Sequence, residues 1–390
     1  MPVPPLKIAI LHYLPDGETV DPVVTQVGES LRQLGHEVST IAVSDGVSDI
    51  LREIARSKCD LVFNLCETFA EDYRMEVNVA ALMELARVKF TGSGTAGLLL
   101  AQDKILTKQL LEYHEIPTAD FATFDGVTVE THGDLEFPLI VKPSRSDASI
   151  GIGTKSLVHT WEDLTRRVQE IRKELQDEAL AEEFIEGREV YVGVIGPKEM
   201  PEILPIVELD FGNWDKSKPT ISDREVKFGP ETEGSPKLVI ARNISTELRQ
   251  RVERAALLAY RGLKLQDYAR IDFRISEEGN PYVLEVNPNP YLEDKSELAM
   301  GAREKGLSYT QLVGRILESA AKRHGLMAKA EKAATPEKTS VAPEKASAAP
   351  EKASAAPKSE PAAPKSGPAQ KSEPAQKSEP AAPSPVNVSG

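Results

Sequence analysis

A chain of 390 residues that is 40% hydrophobic can bury a substantial core, and a formal charge of −14 argues against nonspecific nucleic-acid binding while leaving room for a local basic pocket that takes phosphates. The opening Met1-Pro2-Val3-Pro4-Pro5-Leu6-Lys7 lacks the basic start and apolar run of a signal peptide, and no later stretch reaches membrane-spanning length, so a cytoplasmic location without membrane association is expected. Cys59 and Cys66 lack metal-ligand spacing and suit reduced thiols, and the six histidines form no ligand cluster.

Residues 6–100 alternate strand and helix signals. A strand from Lys7 to Tyr13 is followed by a helix from Pro22 to Leu34 stopped at Gly35, a strand from Glu37 to Val43, a helix to Ser57, and the apolar Leu61-Val62-Phe63. That alternation predicts a parallel sheet with crossover helices. A helical stretch from Arg74 to Leu85, a short strand at Lys89-Phe90 and the turn Thr91-Gly92-Ser93-Gly94 lead into another helix. Ligands gather at the carboxyl ends of strands in such sheets, which makes Asn64, Glu67, Glu71 and Asp72 candidates beside the simpler reading of solvated loop residues.

Asp103 caps a helix through Tyr113, and Ile116-Pro117 opens a second, smaller region. Its strands fall near Ala119 to Thr123 and Leu139 to Val141. A helix from Trp161 to Leu175 and strands from Ala179 to Ile185 and Glu189 to Ile195 follow. The stretch between Asp210 and Thr246, rich in charge, proline and glycine, reads as a mobile lid or a surface excursion, and the final helix runs near Tyr309 to His324. From Ala328 onward the chain repeats Ala, Pro, Lys, Glu and Ser without an aromatic residue. Such a segment cannot offset its ordering entropy, so a disordered tail is expected, read first as an inert solubilising segment and second as a tether or interaction segment whose partner is unknown.

Two stretches carry the strongest chemical signal. In Tyr268-Ala269-Arg270-Ile271-Asp272-Phe273-Arg274-Ile275 the polar residues alternate with Ile271, Phe273 and Ile275, so a strand points Arg270 and Asp272 the same way. After the turn Glu277-Glu278-Gly279-Asn280, the stretch Pro281 to Pro288 sets Glu285 and Asn287 opposite Leu284 and Val286. A hairpin would group three oxygen donors beside one arginine, an arrangement that suits magnesium, with manganese as its chemical alternative, and hence a nucleotide phosphate. A solvated, charged sheet face is the simpler reading of the hairpin alone.

The second signal is Val141-Lys142-Pro143-Ser144-Arg145-Ser146-Asp147-Ala148-Ser149-Ile150-Gly151-Ile152-Gly153, a strand entering a small-residue loop. Its backbone could wrap a polyphosphate while Lys142 supplies charge. The pattern is neither a P-loop nor a dinucleotide fingerprint, and alone it reads as a surface hairpin.

Together these features resemble the ATP-grasp superfamily, and their order resembles the D-alanine-D-alanine ligase family over residues 6–320. The parallels are Phe90-Thr91-Gly92-Ser93-Gly94, Asp103-Lys104, Thr107-Lys108-Gln109-Leu110-Leu111, Ile116-Pro117-Thr118, Val141-Lys142-Pro143, Glu182 to Glu189, Arg270-Ile271-Asp272-Phe273 and Leu284-Glu285-Val286-Asn287-Pro288. The resemblance implies an α/β and α+β chain with an N-terminal α/β domain (1–103), a small central ATP-grasp subdomain (104–189), a C-terminal mixed-sheet subdomain (190–325) and the tail (326–390).

It also implies ATP between the second and third regions. Lys104, Lys142 and Lys227 would then touch phosphates with Ser149 in the loop, Glu182, Glu183, Phe184 and Ile185 would present edges to adenine, and Glu189 would meet the ribose. Asp272, Glu285 and Asn287 match the magnesium ligands, Arg270 the arginine that holds the oxyanion of a tetrahedral intermediate, and Ser296 a serine that contacts a substrate carboxylate. The implied activity is an ATP-dependent carboxylate-amine ligase acting through an acyl phosphate on small amino-acid-like substrates, working as a homodimer.

Departures from the family pattern fall on substrate-reading positions. Ala148 and Phe228 stand where hydroxyl-bearing residues are usual, Asp147 replaces a glycine, Tyr291 lies in a turn that usually carries glycine, and Glu297 replaces an apolar residue. Asp147, Glu67 and Tyr291 are therefore candidates for substrate contact. Two alternatives accompany this reading, a ligase for larger or cationic amines and a nucleotide-binding regulator that has lost turnover.

Overall fold

Strands and helices alternate over the first hundred residues of the computed structural model as the hydrophobic pattern predicts. The structure describes residues 3–327 apart from residues 16, 45, 126–127, 146–152, 213, 215–218, 222–225 and 227–234. The expected tail from residue 328, Asp147, Ala148, Ser149, Lys227 and Phe228 lie outside the described residues.

Strands β1 (Lys7–Tyr13), β2 (Glu37–Val43) and β3 (Leu61–Asn64) form a parallel sheet in the order β2-β1-β3. Helices α1 (Pro22–Gln33), α2 (Val47–Ser57) and α3 (Glu76–Leu85) cover it. Alternate residues of β1 enter different cores. Ile8 and Ile10 join Val23, Val27 and Leu31 of α1, while Ala9 and Leu11 join Ile50 of α2 and Val79 and Met83 of α3, as a sheet buried on both faces requires. Asp21 accepts a hydrogen bond from the backbone of Val23 at 2.8 Å and Pro22 occupies the first helical position, so α1 starts where the sequence caps it. The strand expected at Lys89-Phe90 is reduced to one parallel bridge between Val62 and Phe90. Helices α4 (Thr95–Gln102) and α5 (Lys104–Tyr113) follow.

An antiparallel sheet in the order β5-β4-β8-β6-β7 comes next, built from β4 (Phe121–Phe124), β5 (Val129–His132), β6 (Leu139–Pro143), β7 (Leu157–Val158) and β8 (Ala179–Glu183). Helix α6 (Trp161–Glu174) seats Leu164, Val168 and Ile171 against Leu139, Val141, Ala179 and Ala181. Strand β8 ends at Glu183 rather than Ile185, because residues 184–186 turn the chain into the next strand.

The third sheet, β12-β11-β9-β13-β14 with β10 on β9, contains β9 (Gly187–Gly196), β10 (Glu202–Ile203), β11 (Val207–Asp210), β12 (Lys237–Ile240), β13 (Asp267–Ser276) and β14 (Pro281–Asn287). The stretch between Asp210 and Thr246 is not one unbroken excursion. Its Lys237 to Ile240 pair antiparallel with β11.

Helices α7 (Thr246–Gly262), α8 (Glu297–Glu304) and α9 (Tyr309–Arg323) complete the described chain. Leu312, Val313, Ile316 and Leu317 of α9 share a core with Ile8, Ile10 and Val27, so the last helix packs on the first sheet. The buried Asp267 carboxylate adds a polar clasp, accepting from Gly92 N at 2.9 Å, Arg323 Nη2 at 2.6 Å and Ser319 Oγ at 2.7 Å. No helix among the described residues is long and apolar enough to cross a membrane.

Candidate active site

Strands β13 and β14 pair antiparallel, with Arg270 opposite Asn287, Ile271 opposite Val286 and Asp272 opposite Glu285. The side chains follow from that register. Arg270 Nε and Nη2 bind the two oxygens of Asp272 at 2.8 and 3.0 Å, and Asn287 Nδ2 donates to Asp272 Oδ2 at 3.2 Å. Beyond Asp272 the register slips by one residue, so Phe273 faces Val283 and Leu284 is left at the bulge. Val283 and Val286 are buried in the shared core with Ile271, Phe273 and Ile275, and Leu284 is half-buried. The expectation that Leu284 lines the apolar face is thereby corrected: strict alternation cannot anticipate an inserted residue.

Arg270 is held on three sides. Besides Asp272, its Nη1 meets Glu297 Oε2 at 3.1 Å, and its guanidinium lies 5.3 Å from the centroid of the Tyr191 ring. Burial alone would lower the pKa, but the carboxylates of Asp272 and Glu297 hold the guanidinium protonated far above its ordinary value.

Three lysines converge on the same region from other elements. Asp103 caps α5 through Ile105 N and Leu106 N, and it also accepts from Ser144 Oγ at 3.0 Å and Arg145 Nε at 3.2 Å. That carboxylate ties the start of α5 to the end of β6 and so sets Lys104 near Lys142. Lys104 Nζ reaches Glu285 Oε1 at 2.9 Å. Lys108 and Lys142 grip one oxygen each of the buried Glu182 carboxylate. Burial pushes Glu182 up, yet the two ammonium groups prevail and hold it below the usual carboxylate range. Burial also lowers Lys108.

A family model described as D-ala D-ala ligase C-terminus matches residues 109–318. The chain belongs to the D-alanine-D-alanine ligase family. It is 32% identical over 294 residues to a D-alanine-D-alanine ligase of Aquifex aeolicus, covering 75% of this chain and 92% of that one. It is 33% identical over 316 residues to a protein of Sinorhizobium fredii described as uncharacterized protein y4sG, covering 80% and 89%. Among solved structures, D-alanine-D-alanine ligase from Bacillus anthracis complexed with ATP superposes with a TM-score of 0.62 at 21% identity, covering 81% of this chain and 98% of that one. VanG D-Ala:D-Ser ligase from Enterococcus faecalis gives 0.61 at 18%, covering 80% and 99%. These structures share the ATP-grasp architecture, and family membership makes the chain an ATP-dependent ligase that forms an amide bond. Neither alternative reading, larger amines or lost turnover, is favoured by these relatives.

Glu189 is buried, accepting from Tyr191 OH at 2.8 Å and lying 3.7 Å from Arg274. Glu183 accepts from Glu136 N at 2.7 Å, and burial raises its carboxyl pKa. Phe184 lies under the Arg274 guanidinium at 5.4 Å, while Ile185 is half-buried. Ser296 caps α8 through Ala299 N, which places Glu297 in the first turn facing Arg270. Tyr291 OH donates to Asp21 Oδ1 at 2.8 Å, linking that turn to the start of α1. Glu67 is exposed beyond β3, Asp72 is paired with Arg74, and Asn64 is buried and accepts from Cys66 N at 3.2 Å.

Lys108 is a charged contact to which the sequence alone assigns no role, whereas Glu297, expected at a substrate-reading position, instead meets Arg270. Lys108 lies in a matched motif, and its four-residue spacing from Lys104, which puts both on one helix face, is the available signal. The donor set of Asp272, Glu285 and Asn287 suits a hard, oxygen-loving divalent cation: two carboxylates and one amide stand in adjacent register, with no His or Cys among them.

Proposed function

We propose that the chain activates the carboxylate of one amino acid with ATP and joins it to the amine of a second, with D-alanine the first candidate for both positions. The relatives from Aquifex aeolicus and Desulfotalea psychrophila are named for that amino acid. The observation that carries the reading is the meeting of Lys104 from α5 with Glu285 from β14, beside Asp272 and Arg270 on β13.

A carboxylate is a poor electrophile until one oxygen becomes a leaving group. Its oxygen attacks the terminal phosphorus of ATP, ADP departs, and an acyl phosphate remains. The incoming amine then attacks the acyl carbon, a proton leaves the nitrogen, and phosphate is expelled to give the amide. Lys104, Lys142 and Lys227 neutralise the phosphates, and Ser149 is counted among the nucleotide-binding residues. Glu182, Glu183, Phe184 and Ile185 line the adenine and Glu189 the ribose. Arg270 stabilises the oxyanion, because its guanidinium is already oriented and so costs little reorganisation as charge develops. Asp272, Glu285 and Asn287 would hold magnesium, which would supply charge neutralisation to phosphoryl transfer. Ser296, Asp147, Glu67 and Tyr291 read the substrates. A homodimer in the cytoplasm completes the reading, by analogy with the family.

Full-length protein incubated with ATP, magnesium and amino-acid pools is expected to release ADP and phosphate with one pool and to yield a dipeptide by mass spectrometry. Glu285→Gln is expected to lower turnover on the order of 100-fold. Folded protein that releases no phosphate with any pool would overturn the assignment.

A further inference from the structure

The two lysines on Glu182 are not equivalent. The Lys108 side chain is 1% exposed, and its ammonium has three donors and three acceptors: Glu182 Oε1, Thr118 Oγ1 and the Val283 carbonyl at 3.2 Å. Thr118 Oγ1 donates to the same carbonyl at 3.0 Å, and Val283 N donates to Pro117 O at 2.8 Å, so the backbone is tied down on either side of the Val283 Cα. Lys108 is therefore saturated and immobile. The Lys142 side chain is 8% exposed at the end of β6, and among the described residues its ammonium meets Glu182 alone.

We propose that Lys108 is a positioning residue that keeps Glu182 neutralised, which frees Lys142 to exchange from that carboxylate to a nucleotide phosphate. This rests on the ATP-binding reading above. A buried carboxylate with a single counter-ion holds it tightly, because losing it would leave the charge unpaired. With Lys108 in place, Lys142 can leave without stranding Glu182. Without Lys108, Glu182 and the phosphate compete for the same ammonium.

The readout is the ratio of ATP to adenosine affinity, measured by calorimetry on the full chain. Lys108→Met is expected to weaken ATP roughly tenfold or more while leaving adenosine within about twofold, since one charge-assisted phosphate contact is withheld. Adding Lys142→Met to Lys108→Met is expected to lower the ratio little further, because both changes remove the same contact. Lys108→Met/Glu182→Gln is expected to recover most of the lost ratio, as Lys142 then has no buried carboxylate to hold it. Lys108→Gln repeats the measurement if the methionine variant does not fold. An unchanged ratio, an equal loss of ATP and adenosine, or fully additive lysine losses would overturn the proposal. So would failure of both single variants to fold, which would make Lys108 a purely structural counter-ion. Wild-type protein that binds no ATP would instead overturn the nucleotide reading itself.

Discussion

The ammonium of Lys104 lies 2.9 Å from Oε1 of Glu285, joining the first turn of a helix to the half of a strand away from its hairpin turn, 181 positions later in the chain. That contact closes a group of four basic residues, Lys104, Lys108, Lys142 and Arg270, and four acidic ones, Glu182, Asp272, Glu285 and Glu297. The group is formally neutral, so incoming phosphates and metal can trade partners with it rather than meet a bare field of one sign.

Arg270→Lys should separate catalysis from binding. A lysine cannot keep the two-point grip on Asp272 and also reach Glu297, so the donor that faces the developing oxyanion loses its orientation. Turnover is expected to fall on the order of 100-fold with a smaller change in KM for ATP, read by steady-state phosphate release. Equal losses in both constants would point to a general loss of structure.

Stability should decline in acid as Glu182 protonates. Its folded-state pKa lies below the ordinary value of 4.5 because Lys108 and Lys142 outweigh burial. A depressed carboxylate stabilises fully above its unfolded value, and that contribution is lost as pH falls through the folded one. Thermal melts should therefore show a falling Tm from about pH 4.5 downward, and Glu182→Gln should flatten that slope while lowering Tm at neutral pH.

Arg323→Met should destabilise the chain by about 3 kcal/mol in denaturant titrations, because Asp267 is 1% exposed and would lose its ionic partner. A loss within about 0.5 kcal/mol would mean that Gly92 N and Ser319 Oγ satisfy the carboxylate unaided.

The bulge in β14 predicts an unequal pair. Val283→Ala removes buried volume beside Phe273 and should cost about 2 kcal/mol, whereas Leu284→Ala, at a half-buried position outside that core, should cost about 1 kcal/mol or less. The reverse order, measured by equilibrium unfolding, would show that the strands pair without the slip.

Much of this architecture is legible along the chain because it is local. Period-two alternation in β1 and β13, the Asp21-Pro22 start of α1 and the Asp103 cap of α5 each need only neighbouring residues to express themselves. Helix α7 carries a weaker local signal. Its buried face of Val252, Ala255, Ala256, Ala259 and Tyr260 is three-fifths alanine amid many charges, and alanine gives little apolar contrast along the chain. Strand β12, with one exposed and three half-buried residues, sits at a sheet edge where burial imposes little pattern.

By itself the sequence determined which residue types would meet on the β13–β14 face, since strand periodicity and a tight turn suffice to align Arg270, Asp272, Glu285 and Asn287. Only the tertiary structure decided that Lys108 would lock Glu182 from beneath, that Glu297 would brace Arg270, and that Leu284 would drop out of the core. The reason is distance along the chain: 74 positions separate Lys108 from Glu182 and 27 separate Arg270 from Glu297, so those charges find each other only when separate sheets and helices pack together and burial makes an unpaired charge too costly to keep.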